Sequence, residues 1–257
     1  MKKIFKFILN TIPRPILIRL SIVAQPIIAF LLKGNKFTDP IDGKSFRMFL
    51  PYGYGTQRNN VLSPSTLSLE RHRLLWLYLQ NETNFFTSTE KIKVLHFAPE
   101  QEFYKRFKKQ SNLDYTTTDL FSPLADVKAD ICNLPFEDNQ YDLILCNHVL
   151  EHIQNDIKAM RELYRVLKKD GTLIAQVPLE ENRDTTFEDD TIIDKKERTR
   201  IFGQYDHLRV YGKDYYFRLE SVGFKAEGID FLNSLSNHEK ESFVLPKQER
   251  IPVAIKK

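Results

Sequence analysis

The feature that most constrains the fold is an alternation of short apolar runs with helix-patterned segments over residues 91–152. The run Ile92 to Phe97 is rich in strand-favouring residues, and the segment after it has helical spacing. Short strands that alternate with helices are typical of parallel sheets joined by helical crossovers. In such sheets ligands bind beyond the carboxyl ends of the strands, so the residues that follow each strand are candidates for a binding site.

The same alternation continues towards the carboxyl terminus and predicts an α/β protein with a doubly wound sheet. Asp170 and Gly171 end the helix that begins near Asn155, because glycine suits the turn after a helix. A polar insert follows at residues 180–203. The predicted strands are 92–97, 113–118, 142–147, 172–177, 225–230 and 251–256, with a short element near 127–130, and the predicted helices are 101–110, 155–168 and 213–222.

Composition excludes several classes of protein. The net charge of +4 is modest for 257 residues and is accompanied by many acidic side chains, so a nucleic-acid partner is not expected. The two cysteines, Cys132 and Cys146, lie in the predicted sheet region and do not form the framework of a disulfide-stabilised protein. We therefore expect a reducing, cytoplasmic setting.

Residues 1–36 form a basic, apolar arm that we expect to be helical. Its longest apolar stretch is shorter than the roughly 20 residues that span a bilayer, and Gln25 and Pro26 interrupt it. No small-residue cleavage site follows, as a secretory signal would require. The arm either packs on the catalytic domain, which we favour, or lies peripherally on the inner face of the membrane, where lysines meet anionic head groups.

Residues 37–67 resemble a zinc ribbon from which every thiolate has been lost. Asp39, Asp42, Ser63 and Thr66 occupy the positions of the two cysteine pairs. Two carboxylates and two hydroxyls are poor substitutes for thiolates, so we predict no metal here. The expected module is a β-hairpin held by the aromatic side chains of Phe46, Phe49, Tyr52 and Tyr54. The remaining residues, 68–257, form the main domain.

Four motifs of the main domain, in this order and spacing, resemble the class I S-adenosylmethionine-dependent methyltransferases of the type 11 family. The resemblance covers about residues 91–230. It implies a Rossmann-like, seven-stranded sheet with an antiparallel final hairpin, preceded here by the helical and β-hairpin extension. The motifs are Asp119 after the second strand, Ala129 to Ile131 followed by Leu134 to Phe136, Tyr141 to His152, and Glu162 to Leu173.

The resemblance implies S-adenosylmethionine as cofactor and assigns residues to it. Asp119 stands at a strand end, where a carboxylate can accept both hydroxyl hydrogens of a ribose. Asp130 and Ile131 correspond to the residues that hold adenine in the family. Asn147 and His148 leave the next strand and are expected to face the methionine end of the cofactor.

The first loop departs from the family because it has no glycine. His96, Ala98 and Glu100 stand where the family has an acidic residue followed by glycines that allow close approach of the ligand. Pro99 also removes a backbone donor. S-adenosylmethionine has an ammonium group and no phosphate, so we expect Glu100 to pair with that ammonium. The two glutamates of this loop would repel a dinucleotide pyrophosphate.

The histidines are the candidates for catalysis. His207 lies beside Asp206 in a polar loop that we expect to overhang the cleft, and we predict that it acts as a base or orients the acceptor. His148 is the second catalytic candidate, whereas we interpret His152 as a core or helix-end residue. Arg209 and Tyr211 are expected to contact substrate.

The sequence thus predicts methyl transfer to a small polar, sugar or lipid-linked acceptor. Two alternatives remain open. One is a non-catalytic S-adenosylmethionine-binding module that kept the fold after losing the first-loop glycines. The other is a dinucleotide-dependent Rossmann oxidoreductase, which the glutamates of the first loop disfavour.

Overall fold

The computed structural model describes residues 24–53 and 57–257. Contacts divide them into two compact units. One unit contains the described residues up to Asn81 together with Leu232–Glu249, and the other contains Glu82–Phe231 and Arg250–Lys257. These limits differ from the motif-based boundaries at residues 36 and 67, which stay predictions about domains.

The elements are numbered in chain order. The strands are β1 (Lys33–Thr38), β2 (Ser45–Phe46), β3 (Leu50–Tyr52), β4 (Arg58–Leu62), β5 (Ile92–Phe97), β6 (Leu113–Asp119), β7 (Val127–Lys128), β8 (Tyr141–Cys146), β9 (Leu167–Ile174), β10 (Phe187–Glu188), β11 (Arg209–Val210), β12 (Phe224–Ile229) and β13 (Ile251–Lys256). The helices are α1 (Glu70–Asn81), α2 (Gln101–Phe107), α3 (Asp156–Val166), α4 (Lys195–Phe202), α5 (Tyr215–Glu220) and α6 (Asn237–Ser242), with 3-10 turns at Leu150–His152 and Phe231–Ser234.

A seven-stranded sheet forms the centre of the larger unit, in the order β12-β13-β9-β8-β5-β6-β7. Strands β5 to β9 are parallel to one another, and β13 runs antiparallel to both β12 and β9. The predicted Rossmann-like α/β fold with an antiparallel final hairpin is confirmed. The strand order reverses between β5 and β8, which is the topological switch point where such sheets bind ligands.

The central strands and α3 share a core from which water is excluded. Strands β5 and β8 are buried on both faces, as expected for parallel strands covered by helices. One face of α3 carries Ala159, Met160, Leu163 and Val166, all fully buried. Burial of each large side chain contributes about 1.5–3 kcal/mol to the stability of the fold. This packing fixes the strand ends that carry the candidate site.

Helix α3 is shorter than predicted, because a side chain from a distant strand donates hydrogen bonds to the carbonyl oxygens at its end. The Nζ of Lys256, on β13, donates to the carbonyl oxygens of Tyr164 and Leu167 at 2.8 Å each. Strand β9 accordingly begins at Leu167, five residues before the predicted start. The polar insert also contains a helix that was not predicted, α4, whose first turn is capped by the Asp194 side chain.

The four ribbon positions of the smaller unit are tied together mainly by hydrogen bonds. Asp39 is fully buried, and its Oδ2 accepts from the Thr66 hydroxyl at 2.5 Å and from the Ser68 hydroxyl at 3.2 Å. Its Oδ1 accepts from the Ile41 backbone at 2.9 Å. Ser63 caps the Thr66 backbone, whereas Asp42 only contacts nearby Lys44. Hydroxyl donors around one carboxylate therefore hold the two loops.

Arg73 of α1 joins this network to the rest of the smaller unit. The guanidinium is fully buried and donates to the Ser68 hydroxyl and to the carbonyl oxygens of Ser68, Val61, Phe243 and Val244, at 2.7–3.3 Å. Burial lowers its pKa to about 10, against the opposing effect of the Asp39 charge. All the donor nitrogens are thus paired, which a buried guanidinium requires.

The aromatic side chains predicted to hold this unit are in part buried. Phe46 and Phe49 are buried with ring centroids 6.0 Å apart, and Tyr52 is half-buried. Tyr54 and most of the predicted arm lie outside the described residues. Residues 24–31 are helical, and across the described ranges we find no helix with the length and apolarity to cross a bilayer.

We predict that Asp39→Ala lowers the free energy of unfolding by about 3 kcal/mol or more, because it leaves buried hydroxyl and backbone donors without their acceptor and removes the negative charge that opposes the effect of burial on Arg73. Asp42→Ala is the matched control and should cost less than about 1 kcal/mol, since its ion pair with Lys44 lies at the surface. Urea denaturation followed by circular dichroism measures both values. Equal losses in the two variants would contradict the role given to Asp39.

Candidate functional site

A cavity of about 590 Å³ opens at the carboxyl ends of the parallel strands. This is within the usual range for a site that binds a small molecule. The residues that line it come from the ends of β5, β6 and β8 and from the loops that follow. They are Phe97, Ala98, Thr118, Asp119, Leu120, Phe121, Ala129, Asp130, Ile131, His148, Val149, His152, Ile153 and Asp206.

Two strand ends at this cavity have left-handed backbone. Ala98, after β5, has a φ of 45°, and His148, after β8, has a φ of 53°. This conformation is unfavourable for residues with a Cβ, by about 1–2 kcal/mol. Ala98 thus takes a backbone conformation suited to glycine although the loop has none. Its N–H donates to the Thr118 carbonyl at 3.0 Å, which fixes the turn against β6.

The predicted residues of the first loop form a bonded group next to the cavity. The His96 imidazole is fully buried between the Tyr115 hydroxyl, at 2.7 Å from Nδ1, and Glu100 Oε2, at 2.5 Å from Nε2. Asn147 Nδ2 donates to Glu100 Oε1 at 3.3 Å. None of these side chains lines the cavity, whereas Ala98 does. Pairing of Glu100 with the ammonium group stays a prediction.

The other predicted cofactor residues line the cavity. Asp119 Oδ1 accepts from the backbone of Phe121 and Ser122, at 2.7 and 2.5 Å, and Oδ2 takes no part in these two bonds. Asp130 Oδ1 accepts from the Cys132 backbone at 2.8 Å. Ile131, beside it, is buried and forms part of the apolar wall. Each carboxylate is therefore oriented by backbone donors.

The cavity has an acidic character. Three carboxylates line it, those of Asp119, Asp130 and Asp206, and none of the described residues in its lining is a lysine or an arginine. A cationic ligand is favoured in such surroundings, and a pyrophosphate is not.

His148 is held by a buried carboxylate. Its Nδ1 lies 3.2 Å from Glu151 Oε1, and the Glu151 side chain is 1% exposed. Burial alone would raise the pKa of the Glu151 carboxyl, but the hydrogen bond and charge of His148, a backbone hydrogen bond and the charge of His152 together outweigh it, so the pKa lies below its ordinary value. The buried Nε2 of His148 has no hydrogen-bond partner.

His152 and His207 form a second pair, with ring centroids 4.8 Å apart and planes nearly perpendicular. His152 lines the cavity, and its Nδ1 lies 3.2 Å from the Asp206 carbonyl. His207 is buried behind it, with Nδ1 at 3.0 Å from the Phe202 carbonyl. Burial lowers the pKa of the His207 imidazole. His207 therefore does not overhang the cleft as predicted, because its loop folds its ring inward.

Arg209 and Tyr211 hold the loop that carries this pair. The Arg209 guanidinium donates to the carbonyl oxygens of Leu150, Ile153 and Gln154, and its Nε is 2.8 Å from Glu188. The Tyr211 hydroxyl donates to Asp156 at 2.8 Å. Both side chains are buried and neither lines the cavity, so the predicted contact of these residues with substrate is wrong.

Several residues at the cavity were missed in the sequence. His152 was interpreted as a core or helix-end residue, although its spacing of four from His148 was a usable signal. Leu120 and Phe121 directly follow Asp119 and are 49% and 84% exposed at the cavity rim. Exposed apolar residues after a strand-end aspartate indicate a ligand surface. Asp206, which also lines the cavity, lies in the loop before β11.

The fold and the cavity together define a class of protein. A Rossmann-like sheet carries an acidic, small-molecule cavity at its switch point, with carboxylates after two neighbouring strands. These features are those expected of a protein that binds a cationic nucleoside.

The sequence of residues 85–175 matches the family described as Methyltransferase domain. This segment contains β5 to β9 and all four motifs in full. Residues 85–175, about a third of the chain, therefore carry a methyltransferase domain.

Curated relatives match over short segments. An uncharacterized protein of Methanocaldococcus jannaschii is 38% identical over 91 residues, which are 35% of this chain and 40% of that protein. A 2-phytyl-1,4-naphtoquinone methyltransferase of Nostoc punctiforme is 42% identical over 45 residues, which are 18% of this chain and 20% of the relative. The chain thus spans less than half the length of these relatives.

Among solved structures, the chain is similar to a SAM-dependent methyltransferase from Archaeoglobus fulgidus. The TM-score is 0.45 at 15% identity, and the match covers 72% of this chain and 93% of the other.

We predict that Ala98→Val lowers the free energy of unfolding by about 1–2 kcal/mol, because a β-branched side chain resists the left-handed backbone at this turn. Ala98→Gly is the matched control and should stay within about 1 kcal/mol of the original, since glycine relieves the strain but gains entropy in the unfolded chain. Chemical denaturation measures both. A neutral Ala98→Val would contradict the left-handed assignment.

Proposed function

We propose that this protein transfers the methyl group of S-adenosylmethionine to a small polar, sugar or lipid-linked acceptor. The observation that carries the proposal is the acidic cavity, which is lined by Asp119 and Asp130 and also by His148 and His152. The two aspartates can recognise a nucleoside, and the two histidines can orient an acceptor.

The residues present fit the cofactor. Asp119 Oδ1 accepts two hydrogen bonds from the backbone, and Oδ2 takes no part in them. This carboxylate can therefore accept hydrogen bonds from ribose hydroxyls. Asp130 can accept from the adenine amine, and Ile131 can cover the ring. The left-handed Ala98 brings backbone close to the ligand as glycine does in related loops. The carboxylates around the cavity favour the positive charges of the sulfonium and the ammonium.

When bound, S-adenosylmethionine would supply a methyl group activated by the positive sulfonium, whose sulfur would keep the electron pair of the broken bond, and the proton of the acceptor would pass to solvent. The chain has to align the acceptor and exclude competing water. His148 can do the first, because its Nδ1 is engaged by Glu151 and Nε2 is left to accept a hydrogen bond from the acceptor. We place His207 behind His152 as a positioning residue, since it does not line the cavity.

Polar groups on the acceptor side support a small, polar acceptor. His148, His152 and Asp206 face this end of the cavity, while Val149 and Ile153 supply the apolar part of the wall. A cavity of about 590 Å³ that also holds the cofactor leaves room for one reacting group and its neighbours. A sugar or a lipid-linked head group would present such a group at the rim.

The alternatives differ in what the cavity has to recognise. A non-catalytic binding module would need the aspartates but not the histidines. An oxidoreductase would need donors for a pyrophosphate, and the described residues that line the cavity include no lysine or arginine. The cavity therefore favours methyl transfer over dinucleotide chemistry.

We also propose that residues before the ribbon-like segment contact the inner face of a membrane, in a protein that is otherwise cytoplasmic. The supporting observation is an apolar surface on the helical residues 24–31, in which Ile27, Phe30 and Leu31 are 60%, 77% and 61% exposed. Lys33 and Lys36 follow directly and can meet anionic head groups.

The test of the proposed function begins with calorimetry of S-adenosylhomocysteine binding. We expect the unaltered protein to bind it and Asp119→Asn to bind it about 10- to 100-fold more weakly, because a charge-assisted hydrogen bond of about 1.5–3 kcal/mol is lost. Asn keeps the oxygen that caps the following turn. Asp114→Asn, an exposed change on the same strand, is the control. Failure of the unaltered protein to bind would refute the proposal.

A turnover arm separates an enzyme from a binding module. Labelled methyl donor is supplied with soluble and membrane fractions of a cell extract, and we expect label to enter a small or lipid-linked product. His148→Ala should keep the affinity for S-adenosylhomocysteine and lose most of the incorporation. Binding without incorporation into any fraction would favour the module.

The membrane proposal predicts that the full chain pellets with anionic liposomes and that Phe30→Glu lowers the bound fraction. Burial of an aromatic side chain is worth about 1.5–3 kcal/mol, so the partition coefficient should fall at least about tenfold. Phe217→Glu, which replaces a similarly exposed phenylalanine of the other unit, should leave binding unchanged. No pelleting of the unaltered chain, or equal loss in both variants, would contradict membrane contact.

A further inference from the structure

We propose that Glu151, His152 and His207 bind a divalent transition-metal ion of the zinc type beside the cavity. Each of the three residues offers one ligand atom, and these atoms lie within 4.8 Å of one another. Glu151 and His152 are adjacent, but His207 is distant from them in the sequence, so no metal-ligand spacing revealed the cluster and the sequence alone predicted no metal.

The first argument is the tautomer of each histidine. Nδ1 of His152 lies 3.2 Å from the Asp206 carbonyl, and Nδ1 of His207 lies 3.0 Å from the Phe202 carbonyl. A carbonyl oxygen can only accept, so both Nδ1 atoms carry the hydrogen and donate it. In the neutral rings, both Nε2 atoms then carry a lone pair. A metal-binding histidine is oriented in this way, with its other nitrogen donating to a carbonyl.

The second argument is the lack of partners for buried atoms in the cluster. The Nε2 of His207 and the Oε2 of Glu151 are buried without a hydrogen-bond partner, in side chains that are 3% and 1% exposed. Two acceptors are thus enclosed, and His152 adds a third. An unpaired buried acceptor is costly, by about 1–3 kcal/mol, and a cation shared by all three would satisfy them together.

The third argument is the chemistry of the donor set. Two imidazole nitrogens and one carboxylate oxygen suit zinc and its neighbours, whereas magnesium and calcium prefer oxygen ligands. Two histidines and a glutamate, with one position left open, form a known type of catalytic zinc site. Ligands at about 2.0–2.2 Å from one ion lie closer together than 4.8 Å. His152, the most exposed of the three, is the side chain that would move inward.

The surroundings hold the ligands in place. Glu151 Oε1 is taken by His148, which leaves Oε2 for the ion. The backbone N–H of Leu208 donates to the Glu151 carbonyl at 2.9 Å, and Arg209 donates to the carbonyls of Leu150 and Ile153. These bonds join the loop of His207 to the turn that carries Glu151 and His152, so the three ligands come from a single supported substructure.

The open position of the ion would indicate the class of acceptor. His152 lines the cavity, so an ion bound to it faces the side on which the acceptor enters. The ligand that would take this position is an oxygen of the acceptor, as in a hydroxyl or an enol. This assignment rests on the proposed methyl transfer, whereas the metal site itself does not.

The test uses the full, untagged chain, freed of metal by a chelator and then titrated with Co²⁺, whose visible absorption reports bound ligands. We expect one equivalent to bind, and Zn²⁺ to displace it. Glu151→Gln keeps the size of the side chain and should weaken binding at least about tenfold, and His207→Ala should do the same. His238→Ala, an exposed histidine of the other unit, should bind as the unaltered protein does.

Binding of S-adenosylhomocysteine, measured on each variant, separates the outcomes. Retained affinity shows that a variant is folded, so its loss of Co²⁺ is due to the ligand. Metal binding without affinity for S-adenosylhomocysteine would uphold the site and refute the methyl transfer. Uptake far below one equivalent by the unaltered chain, or equal Co²⁺ affinity in Glu151→Gln, would overturn the metal site.

Discussion

The parallel pairing of β5 with β6 on one side and with β8 on the other is the constraint on which the rest of the larger unit depends. It brings three strand ends to one edge of the sheet, and each end then supplies a different group. Ala98 turns away from β5 in a left-handed conformation, Asp119 ends β6, and His148 leaves β8. Because the register of a buried parallel sheet is fixed by its core, the packing of that core places these groups.

Buried polar groups organise both units, with different consequences. In the smaller unit, Asp39 and Arg73 are surrounded by donors and acceptors that match them, so positions that resemble metal ligands have become a closed hydrogen-bonded network. In the larger unit, Glu151 and His207 are equally buried but each retains an atom without a partner. A satisfied network contributes to stability and specificity, whereas an unsatisfied one next to a cavity marks a place where a ligand can act.

The first loop shows how a motif can change while its geometry persists. The sequence has no glycine there, and yet Ala98 takes the conformation that glycine would take, since its small Cβ and the bond to Thr118 make the turn tolerable. Glu100 contacts His96 through Oε2 and Asn147 through Oε1, so both carboxylate oxygens are hydrogen-bonded before any ligand arrives. The glycine pattern therefore describes one solution to a backbone requirement that other residues can meet.

The sequence by itself determined that the chain forms an α/β sheet, which acidic residues follow its strands, and which family its motifs resemble. These follow from local periodicity and from motifs of contiguous residues, which is why Asp119, Asp130 and Ile131 were found. Tertiary structure decided where α3 ends, because Lys256 binds carbonyl oxygens at the end of this distant helix. It also decided which histidines lie at the cavity. His152 came to the cavity and His207 was buried behind it because Arg209 fastens their two segments together. Contacts between distant segments leave no periodic signal, so only the folded chain shows which polar groups share a site.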